Sequence, residues 1–127
     1  MATARRSAAL VGVALSIAAC AGGTPASTIP VPSGALELRV VNTRFEPAQL
    51  SVPANEPFVL YFDNADNVPH NVVIIGSDGG RVFAGDIFTG AAQRLLQVPA
   101  LALGHYRLRC DLHPEMGADL EAVLPPA

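Results

Sequence analysis

The sequence predicts an all-β domain, a Greek-key β-sandwich or barrel. From Ala35 onward, apolar and polar residues alternate with period two in short runs. Clusters of Gly, Pro, Asn and Asp separate these runs at short intervals, as turns between strands require. The same region carries little of the 3.6-residue apolar spacing of an amphipathic helix.

Taken in order, Leu36, Leu38 and Val40 alternate with Glu37 and Arg39, giving a first strand with one buried face. Asn42 to Pro47 breaks the pattern, and Gln49 to Val52 forms a second short strand that stops at Pro53. After the turn Asn55-Glu56-Pro57, Phe58, Leu60 and Phe62 share one face of a third strand. Asp63 to Asn67 reads as a polar turn cluster. His70 to Ile75 reads as one strand, with His70, Val72 and Ile74 on the same face. Gly76 to Gly80 is a tight turn, Arg81 to Ala84 a short edge piece, and Gly85 to Ala92 a loop. Gln93 to Val98 and His105 to Cys110 are strands separated by a turn over Pro99 to Gly104, and Ala118 to Leu124 closes the domain.

Composition narrows the function. The 127 residues suffice for one domain, and 50% hydrophobic against 15% charged residues allows a packed core. All 8 basic residues are Arg, and two of them, Arg5 and Arg6, belong to a leader. Without those two, six Arg face 11 acidic residues, a net charge of −5. An acidic domain without a basic stripe offers no footprint for nucleic acid. No apolar run is long enough to span a bilayer.

The first 19 residues read as a secretory signal peptide: a basic start followed by an apolar stretch from Ala8 to Ala19. The end, Ile17-Ala18-Ala19-Cys20, resembles the lipobox of bacterial lipoprotein signal peptides, with Ile17 where Leu is more usual. That resemblance implies lipidation of Cys20 and anchoring to a membrane; an ordinary signal peptide with an incidental Cys20 is the plainer alternative. Residues 20–34 then form a lipidated cysteine and a flexible Gly/Ser/Thr/Pro linker, and residues 35–127 the folded domain. The chain has 2 cysteines, so a Cys20–Cys110 disulfide is the simplest exported arrangement. Lipidation of Cys20 removes it, and Cys110 becomes a lone thiol that needs burial or a metal.

The chemistry concentrates in Cys110-Asp111-Leu112-His113-Pro114-Glu115-Met116, where thiolate, imidazole and thioether recur every third residue. Sulfur donors with imidazole select soft transition metals, copper above all when two histidines and one cysteine are joined by a methionine. His70, in Val68-Pro69-His70-Asn71-Val72, is the candidate for the second imidazole. Alternation places Tyr106, Leu108 and Cys110 inward and His105, Arg107 and Arg109 outward, so His105 reads as a surface residue. Taken alone, His70 reads better as a core histidine than as a ligand, and Cys110 reads as an inert buried thiol and Met116 as a core filler; it is their coincidence in one pattern that points to a metal. Asp111 and Glu115 read as solvated loop residues.

Pro69-His70-Asn71-Val72 together with Gly104 to Met116 resembles the cupredoxin family, the small blue-copper proteins of the amicyanin and plastocyanin type, over Ala35 to Leu124. Leu108 departs from the pattern, where many relatives carry an aromatic residue. The resemblance implies a cupredoxin-type Greek-key sandwich holding one mononuclear type 1 copper ion. It implies His70, Cys110 and His113 as trigonal ligands, Met116 as the axial ligand, and Asn71 as a supporting residue beside the first histidine. A closed four-ligand site favours single-electron transfer over catalysis, so the expected protein is an electron carrier and not an enzyme. Redox partner proteins would dock on the surface around His113, rimmed by Pro69, Leu112 and Pro114 with Met116 at its margin. The protein is expected to be a monomer, outside the cytoplasm and membrane-anchored through Cys20. The alternative from another class is a copper-binding or copper-delivery lipoprotein that exchanges metal with a partner.

Overall fold

The computed structural model describes residues 28–126. The expected signal peptide, Cys20 and the first part of the linker lie outside the described residues. Eleven strands and no helix are found among the described residues: β1 (Leu36–Val41), β2 (Arg44–Glu46), β3 (Gln49–Pro53), β4 (Phe58–Asn64), β5 (Pro69–His70), β6 (Val73–Gly76), β7 (Arg81–Ala84), β8 (Phe88–Thr89), β9 (Ala92–Val98), β10 (Gly104–Arg109) and β11 (Gly117–Val123).

All the strands but β5 and β8 form two sheets packed as a sandwich. One has the order β2-β1-β4-β9, the other β3-β11-β10-β6-β7. β1 pairs parallel to β4, and β3 parallel to β11, while the remaining ladders are antiparallel. β2 and β3 follow one another in sequence but lie in different sheets, so the chain crosses the sandwich at Pro47 and Ala48. Leu38, Val40, Leu60 and Phe62 from the first sheet meet Leu50, Val52, Ile74, Leu108, Leu120 and Ala122 from the second. The aromatic part of the core is linked through Phe62, which lies 6.4 Å from Phe45 and 5.5 Å edge-on from Phe88.

Three features depart from the sequence expectation. Arg44–Glu46 is a strand, because its central Phe45 points into the core and the flanking polar residues face out. The third strand extends through Asp63 and Asn64 into the expected turn. Asn64 is fully buried there because its side-chain amide donates to the carbonyls of Val68 at 2.9 Å and Phe88 at 3.0 Å. Finally, His70 to Ile75 is not one strand. It divides at Asn71-Val72 into β5, which pairs with β8 in a separate two-stranded piece, and β6, which joins the larger sheet beside β10. Phe88–Thr89, expected as loop, is recruited as the partner of Pro69–His70. That break carries His70 to the end of the sandwich where β10 delivers Cys110.

Candidate metal centre

β10 keeps the parity expected of it. Leu108 is buried, His105, Arg107 and Arg109 are exposed, and Cys110, just past the strand, is 1% exposed within the core cluster. His105 is a surface residue, with 82% of its side chain exposed. The chain then turns over the cysteine through Leu112 to Glu115. The Met116 amide donates to the His113 carbonyl at 2.9 Å, closing this turn. Met116 is 2% exposed and packs in the same core as Cys110, so it does not contribute to the exposed rim where it was expected.

Three donor side chains come together. Cys110 Sγ lies 3.8 Å from His70 Nδ1 and 3.6 Å from His113 Nδ1. The donor atoms of His70, Cys110 and His113 all lie within 4.8 Å of one another. The two imidazole rings stand 4.5 Å apart, inclined at 49°. An ion bound at about 2.0–2.1 Å by imidazole nitrogen and about 2.3 Å by thiolate holds such donors about 3.6 Å apart at a tetrahedral angle and about 3.8 Å at a trigonal one. The observed spacings therefore suit donors that share a single ion. Both histidines present the same ring nitrogen, Nδ1, toward the sulfur. His70 is fully buried, and His113 is half-exposed.

Polar residues hold these groups from behind. Asn71, 2% exposed, donates through Nδ2 to the Gly85 carbonyl at 3.1 Å and to Asp111 Oδ2 at 3.0 Å, and its Oδ1 accepts from the Asp111 amide at 2.9 Å. This pins the residue after Cys110 to the residue after His70. Asp111 also accepts from the Arg81 guanidinium. The carboxyl of Asp111 is held below its ordinary value, first by the Asn71 hydrogen bond and then, against a smaller opposing effect of burial, by Arg81 and the charge of Arg109. Asp111 is therefore the exposed loop residue expected from its position, and in addition it is tied to Asn71 and Arg81.

Asp66, which the sequence left inside a polar turn cluster, lies 2.9 Å from the far ring nitrogen of His70. Burial pushes its carboxyl up. The amide of Thr43, the His70 ring and the amide of Asn42 together outweigh burial and hold it below the ordinary value. The only sequence signal for this role is its position four residues before His70.

The sequence matches the family described as cupredoxin-like domain over residues 8–120. The chain belongs to that family. Solved structures of other cupredoxins share the fold at low sequence identity. Auracyanin from Roseiflexus castenholzii is 17% identical, with a TM-score of 0.63 over 72% of this chain and 98% of that one. Amicyanin from Paracoccus versutus is 22% identical, with a TM-score of 0.58 over 73% and 85%. Auracyanin A from Chloroflexus aurantiacus, described as a "blue" copper protein, is 18% identical, with a TM-score of 0.61 over 70% and 98%. No curated protein matches the sequence. The cupredoxin architecture expected from the ligand loop is the one the strands form.

Proposed function

We propose that this cupredoxin holds one mononuclear type 1 copper ion through His70, Cys110 and His113, with Met116 as axial ligand, and passes single electrons between partner proteins outside the cytoplasm. The observation that carries this reading is the convergence of two Nδ1 atoms on Cys110 Sγ at 3.6 and 3.8 Å. Bound copper supplies a centre that alternates between Cu(II) and Cu(I). The protein's part is to keep the donors in one arrangement through both states. Asn71 and Asp111 resist rearrangement of the cysteine end, and burial of His70 excludes water from the inner side.

This rigidity supports electron transfer over metal delivery, which requires donors that open to a partner. Partly exposed His113 provides the route outward, and exposed Val68 and Leu112 on the ligand-bearing segments, with Ile87 next to β8, suit a small, transient apolar docking face. The Cys20 leader supports a membrane-tethered carrier, with residues 20–34 as its leash. Reconstitution with Cu(II) tests the centre: an intense visible thiolate-to-copper band, absent in Cys110→Ser, is expected, and a colourless, redox-silent complex refutes it. Rapid release of Cu(I) to a chelator would instead establish delivery. Tethering is tested by Cys20→Ser, which is expected to move the protein from the membrane to the soluble exported fraction.

A further inference from the structure

The ring of His70 is fully buried, so both of its nitrogens must be satisfied by the protein or by a bound ion. Nδ1 faces Cys110, and Nε2 lies 2.9 Å from Asp66 Oδ2. A carboxylate only accepts hydrogen bonds, so the proton of the neutral ring sits on Nε2 and the lone pair is left on Nδ1. Asp66 is itself fixed. Its Oδ1 accepts from the Asn42 amide at 2.7 Å and its Oδ2 from the Thr43 amide at 2.8 Å. These amides belong to the two-residue turn between β1 and β2, where Val41 pairs with Arg44.

Both turn residues have positive φ, 50° for Asn42 and 59° for Thr43. The first is an accustomed occupant of that region, whereas a β-branched threonine rarely adopts it. The unfavourable conformation turns two successive amides onto one carboxylate. On the other side, Gly90 lies so close to the carbonyls of Asn64 and Asp66 that a Cβ would collide with both. The carboxylate is thus held from its backbone and from its oxygens, and its remaining hydrogen bond goes to His70.

We propose that Asp66 is a positioning residue for the metal centre, fixing the His70 tautomer and placing a negative charge behind it that favours the more highly charged ion. The redox part of this assignment rests on the copper reading; the tautomer part does not. Through Asp66, the β1–β2 turn becomes a determinant of the centre's reduction potential, although neither turn residue is a donor in the cluster. The charge acts through the imidazole, so it stabilises Cu(II) more than Cu(I).

The tautomer is read from the 15N shifts of His70 in the purified, metal-free protein near neutral pH. A ring protonated on Nε2 alone is expected; a proton on Nδ1, whether alone or in a doubly protonated ring, overturns the assignment without any variant having to fold. The charge is then removed in Asp66→Asn, which keeps one acceptor oxygen for the His70 ring and the Thr43 amide and sets its NH2 toward the Asn42 amide, so Zn(II) binding is followed as a redox-silent control. Loss of a carboxylate behind a ligating histidine weakens metal binding by about 10–100-fold. The ratio of Cu(II) to Cu(I) affinity is expected to fall about tenfold, which raises the potential by about 59 mV. A ratio unchanged within about twofold, with Zn(II) affinity also unchanged, overturns the positioning role. Failure of the wild-type protein to take up copper overturns the copper reading and the redox part together, while the 15N measurement still decides whether Asp66 orders the ring.

Discussion

Replacing Asn71 with alanine should separate stability from ligand chemistry, because Asn71 contributes no donor to the cluster yet joins both of its halves. The side chain makes three hydrogen bonds, to the Gly85 carbonyl and to the carboxylate and amide of Asp111. A neutral hydrogen bond contributes about 0.5–1.5 kcal/mol net, and one to a charged group about 1.5–3 kcal/mol. Asp111 keeps 35% of its side-chain surface and its Arg81 partner, so water recovers part of the charged contribution. The expected loss is about 3 kcal/mol for the metal-free protein, with an upper bound near 5 kcal/mol. For a domain of this size each kcal/mol lowers Tm by about 4–8 °C, so a fall of about 12–24 °C is anticipated. Urea unfolding at fixed ionic strength, fitted with a common m-value, measures it directly. A loss below about 1 kcal/mol would refute the argument that Asn71 joins the two ligand segments energetically, since even one buried neutral hydrogen bond accounts for that much.

Acid should act on the same network. Asp66 and Asp111 are both held below the ordinary carboxylate value, so the stability they contribute is complete above the unfolded-state value and is lost as pH falls through their folded-state values. Urea midpoints of the metal-free protein should decline over that acidic range, and the decline should be shallower in Asp111→Asn. Phe62→Ala removes the fully buried ring between Phe45 and Phe88 and should cost about 3–5 kcal/mol by the same measurement. His105→Ala should change neither copper stoichiometry nor the visible spectrum, because His105 projects from the outer face of β10; a lost or shifted band would show that the strand parity is misassigned.

The candidate centre was largely legible in the sequence because its determinants are local. The three-residue steps from Cys110 to His113 and Met116 sit on one loop, and the polar residues His105, Arg107 and Arg109 fix which way β10 presents Cys110. His70 was legible as a residue, but its placement was not. An apolar run from Val72 to Ile75 looks continuous with it, and only pairing with Phe88, 18 residues downstream, splits the strand at Asn71. A two-residue strand has no periodicity of its own, so β5 and β8 leave no local signal. The same limit hid Asp66 and Asn64. In sequence they belong to a polar cluster that suits a turn, and their placement follows from hydrogen-bond partners at Thr43, Asn42, Val68 and Phe88, drawn from three segments. Asp111 is the exposed loop residue expected, but its ties stayed hidden for the related reason that they run to tertiary neighbours, Asn71 and Arg81.

In the proposed centre, Cys110 and two Nδ1 atoms hold a single redox-active copper ion. The visible and EPR spectrum of the purified protein loaded with one equivalent of Cu(II) tests it most directly. An intense thiolate charge-transfer band and narrow copper hyperfine splitting are expected, with the band lost in Cys110→Ser. A weakly coloured complex with the broad hyperfine pattern of tetragonal copper, unchanged by that substitution, would contradict it.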